Sequence, residues 1–107
     1  MNGAGEAAQA GADEVLALDA GELSFQTIPA VLARTADYST RKDLPRKLTI
    51  DFSAVTGVDS SAVALLLDWR RMAVARGTTL IFVNLPANLL ALAELYGVAD
   101  LIQPHQA

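Results

Sequence analysis

One stretch limits the fold more than any other: Thr49–Gly77, TIDFSAVTGVDSSAVALLLDWRRMAVARG. Leu48, Ile50 and Phe52 alternate with Thr49, Asp51 and Ser53, the period of a strand that turns one face to a core. From Ser61 to Arg76 the apolar residues recur at helical spacing, and Gly77 follows where a helix favours a left-handed residue. Between the two, Val58-Asp59-Ser60-Ser61 sets two hydroxyls and a carboxylate at the junction. A strand that passes so quickly into a long helix predicts an α/β chain.

The flanking segments extend this pattern. Glu14-Val15-Leu16-Ala17-Leu18 reads as a first strand and Asp19-Ala20-Gly21-Glu22 as a turn, with Gly21 supplying a positive φ. Leu23-Ser24-Phe25 then pairs back as a hairpin strand. Thr27-Ile28-Pro29 opens a helix, with Thr27 as cap and Pro29 in the first turn, and the helix runs over Pro29–Asp37. Ser39–Lys47 is a polar loop. Its Arg41, Lys42, Asp43, Arg46 and Lys47 form either a solvated surface or a patch for phosphate or lipid headgroups. Thr78–Val83 is a β-branched and aromatic strand, Pro86–Tyr96 a helix ended by Gly97, and Val98–Ile102 a short last strand. The sum is an α/β domain of about four strands and about three helices over residues 14–103. Residues 1–13 form a flexible leader and residues 104–107 a frayed tail.

Composition narrows the chemistry. The chain has 107 residues, 52% of them hydrophobic, enough for one packed core. A net charge of −4 argues against nucleic acid as a partner. There is no cysteine, and the one histidine, His105, lies in the tail. A zinc site or a Ser-His-Asp hydrolase is therefore not expected, nor is any metal, cofactor or catalytic residue. Met1–Asp13 lacks the basic and apolar regions of a secretory signal, and no apolar run reaches the roughly 18 residues of a membrane span. A cytoplasmic protein without direct membrane insertion is expected.

The junction carries the functional question. A helix N-terminus exposes unpaired N–H groups, so one of Asp59, Ser60 and Ser61 is expected to cap the helix. Two hydroxyls beside a carboxylate exceed the needs of one cap, and a hydroxyl there is also a placed phosphoacceptor. On the helix that follows, Ala62, Leu65, Leu66, Trp69, Met72 and Ala73 form one apolar stripe. Val63, Leu67 and Val74 lie beside it, flanked by Arg70 and Arg71. Either the helix is squeezed between sheet and neighbouring helix, or part of it meets another protein. In the last helix Leu89, Leu92, Ala93 and Tyr96 share a face, with Leu90 and Leu95 off its centre.

Val58-Asp59-Ser60-Ser61-Ala62-Val63-Ala64-Leu65-Leu66-Leu67, preceded by Leu48-Thr49-Ile50-Asp51-Phe52, resembles the signature of the STAS family. Leu92-Ala93-Glu94-Leu95-Tyr96-Gly97-Val98 is similar to a segment of one branch, the MlaB subunits of phospholipid-transporting ABC complexes. The resemblance spans roughly Glu14–Leu101. It implies a mixed sheet covered by helices on one side and a binding module without catalysis. In the MlaB branch the partner is the ABC transporter ATPase subunit, and the hydroxyl near that contact matches Ser60. In anti-sigma factor antagonists a serine kinase modifies the hydroxyl that matches Ser61. The sequence departs from the pattern at Ala62 and Val63, where Gly and Leu are usual; Ala at the glycine position narrows close backbone approach.

Two functions follow as expectations. The first is a non-catalytic subunit that regulates the ATPase of a phospholipid-transporting complex, held through it at the inner face of the cytoplasmic membrane. Asp59, Ser60, Ser61, Val63, Leu67 and Tyr96 would form its partner-binding or regulatory surface. The alternative is an anti-sigma factor antagonist switched by phosphorylation at Ser61, with Ser60 as the second candidate. A homodimer is compatible with either.

Overall fold

A computed structural model describes residues 13–102. The elements run β1 (Asp13–Ala17), β2 (Glu22–Leu23), α1 (Ile28–Thr40), β3 (Lys47–Asp51), β4 (Gly57–Val58), α2 (Ser60–Ala75), β5 (Thr79–Val83), α3 (Ala87–Leu95) and α4 (Ala99–Ile102). The α/β class holds. The tail expected at 104–107 and all of the leader but Asp13 lie outside the described residues; Asp13 itself begins β1, opposite Lys47.

The main sheet has the order β1-β3-β5. Every strand pair among the described residues is parallel, where the resemblance implied a mixed sheet. Parallel neighbours need long crossovers, and α1 and α2 supply them. The register sets Leu16, Ile50 and Phe82 side by side, with Glu14, Leu48 and Leu80 one step back on the same face. Helices cover that face. Phe52, Leu66 and Leu89 are fully enclosed at 0% exposure, and Phe52 meets Phe82 edge to face with ring centroids 5.6 Å apart. Val15, on the opposite face of the sheet, stays exposed.

The expected hairpin does not form. The Leu18 N–H donates to the Asp51 carbonyl at 2.9 Å, so the chain continues along β3 instead of reversing. The Gly21 carbonyl then accepts from the Thr56 N–H at 2.7 Å and from the Thr56 hydroxyl at 2.9 Å, with no positive φ at Gly21. These bonds carry β2 to β4, in the register Glu22↔Gly57 and Leu23↔Val58. Thr27 is not a capping acceptor for α1 either. Its hydroxyl donates to the Glu22 carbonyl at 2.8 Å and accepts from the Ser24 N–H at 2.9 Å, which ties down the turn before the helix. At its other end α1 runs to Thr40, three residues beyond the expected Asp37, with the Arg41 N–H on the Asp37 carbonyl at 3.0 Å.

Glycine stops two helices in the same way. Gly77 and Gly97 have φ of 74° and 72°. After α2 the Thr78 N–H reaches back to Ala73, and after α3 the Val98 N–H reaches back to Ala93, both at 2.9 Å. This six-to-one bond defines the Schellman motif and satisfies carbonyls the helix leaves open. The turn at Gly97 sends the chain back against α2 and α3, where residues 99–102 form the short helix α4 and bury Ile102. That is why the expected last strand is absent.

Ser24 leaves a local cost. It is 6% exposed, and its hydroxyl has no hydrogen-bond partner. A buried hydroxyl without a partner is unfavourable relative to a methyl group of similar size. Ser24→Ala is therefore expected to stabilise the domain by up to about 1 kcal/mol. Urea unfolding measures this, and a clear loss of stability would mean that the hydroxyl is satisfied.

Candidate functional site

The start of α2 is built around Asp59. β4 delivers this residue in an extended conformation, φ −134° and ψ −172°, as the N-cap. One carboxylate oxygen, Oδ1, accepts from the Ser61 N–H at 2.9 Å. The other, Oδ2, accepts from the Phe25 N–H at 3.0 Å, across 34 residues of sequence. The Asp59 carbonyl also takes the Ala62 N–H at 3.0 Å. The bond from Phe25, with further help from the Ser61 backbone and hydroxyl, holds the Asp59 carboxyl below its ordinary pKa. Asp59 is thus a clamp between the helix and the turn before α1, with both oxygens engaged.

The two serines separate. Ser60, at the first helical position, is exposed; Ser61 is half-buried, with its N–H on the Asp59 carboxylate. By holding Phe25, Asp59 also shapes the ground beside them. Phe25 is 77% exposed and Leu32 44% exposed, and together with Pro29 they form one bank of an open groove between α1 and α2. Ser61, Ala64 and Leu65 form the other bank, and the ion pair Asp68–Arg71, at 3.0 Å, closes one end. The groove has a volume of about 490 Å³. Apolar side chains with a hydroxyl and a charge pair at the border suit the reception of another protein's apolar residues.

The remaining expected site residues do not join this groove. Val63 is in the core at 3% exposure, which removes it from any exposed surface. Leu67 is half-buried and packed against the same core. The surplus apolar flank of α2 is explained largely by squeezing, since α2 touches α1, α3, α4 and β5; Val74 alone of its trio faces out, at 67% exposure. Tyr96 is exposed at the C-terminal end of α3, near Leu95 and Leu101. The N-terminal end of that helix is the one that approaches the junction, where the Asn88 side chain donates to the Thr56 carbonyl at 3.3 Å. Tyr96 stands about 12 Å further along the helix axis.

Phe25 and Leu32 escaped the sequence reading. Period-two spacing sets Phe25 on the same face as the buried Leu23 and so signalled burial, whereas Phe25 is exposed. What the sequence lacked was the β2–β4 pairing that brings Phe25 to Asp59. The basic cluster resolves toward a structural role at Arg41. This residue makes a two-point pair with Glu14, 3.0 Å to each oxygen, and lies over the Tyr38 ring at 5.3 Å. The Arg41 bond holds the Glu14 carboxyl below its usual value.

These lowered carboxylates make the fold sensitive to acid. Asp51 is also lowered, chiefly by the Asn84 side chain and then by the Ser53 N–H. A carboxyl with a depressed folded pKa contributes stability that is complete above its unfolded value of about 4 and fades as pH falls through the folded value. Urea midpoints are expected to be level from pH 7 to about 5 and to drop below about 4. Asp59→Ala is expected to lower the midpoint at pH 7 and to flatten the acid drop. An acid drop as steep as that of the unaltered chain would show that Asp59 is not one of its sources.

The family model described as "Mlab, STAS domain" matches residues 6–103. No curated protein and no solved structure matches the chain. Because the family match takes in every described element, including the Asp59 clamp and both banks of the groove, the chain belongs to the MlaB-type STAS domain family.

Proposed function

We propose that this domain is a non-catalytic subunit that binds and regulates the cytoplasmic ATPase of a phospholipid-transporting ABC complex. The single observation that carries the reading is the open groove between exposed Phe25 and Leu32 on one side and Ser61 on the other, on a helix end fixed by Asp59. The MlaB-type description of the matching family supports a lipid-transport setting for this reading. Docking would bury the groove, and the ATPase conformation that fits it best would gain population, because a bound subunit shifts an equilibrium by its difference in affinity for the two states. None of the helices among the described residues is long and apolar enough to cross a membrane, so in this reading the partner supplies the link to the transporter.

A second reading rests on Ser61. Its place in the groove wall means that a phosphate there would obstruct the groove, as a phospho-switched anti-sigma factor antagonist requires. The Asp59 carboxylate stands against it, since like charges would meet at the cap. The first reading is therefore preferred. The second predicts a mass gain of about 80 Da with a host serine kinase and ATP, lost in Ser61→Ala. An unmodified chain under those conditions would remove it.

For the first reading, Ser60→Glu and Leu32→Asp are expected to abolish co-purification with the co-expressed ATPase while circular dichroism stays unchanged. Val74→Asp, on the exposed opposite flank, should co-purify normally. A central contact of this kind is worth about 2 kcal/mol or more, roughly thirtyfold in Kd. Full retention of the ATPase by both Ser60→Glu and Leu32→Asp would place the interface elsewhere.

A further inference from the structure

A second recess lies deeper between the same two helices and the sheet. It encloses about 210 Å³. Leu48, Ile50 and Leu80 of the strands form its floor, and Tyr38 of α1 with Trp69 and Ala73 of α2 form its walls. The recess meets the open groove only at Leu32 and Asp68, which border both. Its position is independent of the partner reading above.

The lining decides what can occupy it. The Thr35 hydroxyl donates to the Val31 carbonyl at 2.9 Å, and the Thr78 hydroxyl donates to the Pro45 carbonyl at 3.0 Å. The Tyr38 hydroxyl is turned to Glu14, and Asp68, at the mouth, is paired with Arg71 at 3.0 Å. Apart from the Trp69 indole N–H, the polar groups of the lining are thus already engaged within the protein, and a water inside would find few free partners. An apolar cavity of about 150 Å³ stays dry and takes up benzene; this one is larger. Left empty, its walls lack dispersion contacts that a marginally stable domain has reason to recover. An ionised ligand would lose its hydration with no counter-charge inside to replace it.

We propose that this recess is a binding site for a small uncharged molecule of hydrocarbon character, of the size of an alkylated benzene ring. Entry is between α1 and α2, past Leu32. Trp69, the only tryptophan in the chain, lines the site and reports on it.

The test is a titration of the full chain with n-butylbenzene, read by Trp69 fluorescence and by methyl NMR. A saturable change is expected with Kd roughly millimolar or tighter. Methyl shifts should concentrate on Leu48, Ile50 and Leu80, and the thermal midpoint should rise with ligand concentration. Benzoate, with a similar ring but a charge, should leave all of these unmoved. Ala73→Leu, which extends a side chain into the recess, should keep the fold and lose at least tenfold in affinity. If that variant does not fold, the methyl shifts of the unaltered chain decide. No saturable change, shifts centred on the open groove at Leu65, equal binding of benzoate, or undiminished binding by a folded Ala73→Leu would each overturn the proposal.

Discussion

The Asp59 carboxylate joins two parts of the chain that sequence separates widely. One oxygen holds the Ser61 N–H and so starts α2; the other holds the Phe25 N–H and so fixes the turn before α1. A cap needs only one of these bonds. The second makes the beginning of α2 and the bank of the groove a single unit, and with β2–β4 pairing beside it the two crossovers of the sheet are tied at one end. Relaxing that clamp would free Phe25 and the serines at the same time.

The rest of the architecture supports this end. Three parallel strands need two crossovers, and both helices lie on the face that carries Leu16, Leu48, Ile50, Leu80 and Phe82. α2 is enclosed by α1, α3, α4 and β5, which accounts for its almost continuous apolar surface. Where α1 and α2 do not close upon each other, they leave the groove at the surface and the recess beneath it. The same spacing therefore produces an exposed apolar bank and a sheltered apolar chamber.

Much of this was legible in the residues. The period-two run at Leu48–Phe52, the long helix after the junction and the glycine stops at Gly77 and Gly97 depend on local chemistry, and they stand where expected. Long-range pairing was not legible. Nothing local to Leu23-Ser24-Phe25 distinguishes a strand that folds back on β1 from one that reaches β4, because the decision lies in bonds to Gly21 from Thr56 and Gly57, 35 residues and more away. That error hid the neighbourhood of Phe25 and Asp59. Helical spacing likewise set Val63 and Leu67 beside the core stripe without showing that α3 and α4 would cover that flank. Asp59, Ser60 and Ser61 stand at the helix start as the residues suggested, whereas Val63 lies in the core and Leu67 packs against it.

Among the described residues four exposed apolar places compete for a partner: Val15 on the open face of the sheet, the groove at Phe25 and Leu32, Val74 on α2, and Leu95, Tyr96 and Leu101 at the far end of α3 and α4. Of these, the groove is the one that combines concavity with a serine of the junction, Ser61. Hydrogen–deuterium exchange on the domain, free and in complex with the proposed ABC ATPase partner, separates them most directly. The account predicts slowed exchange across Phe25–Leu32 and at the amides of Ser60 and Ser61 in the complex, with the Leu95–Leu101 segment unchanged. Slowed exchange confined to Leu95–Leu101, with the groove amides as fast as in the free domain, would contradict it.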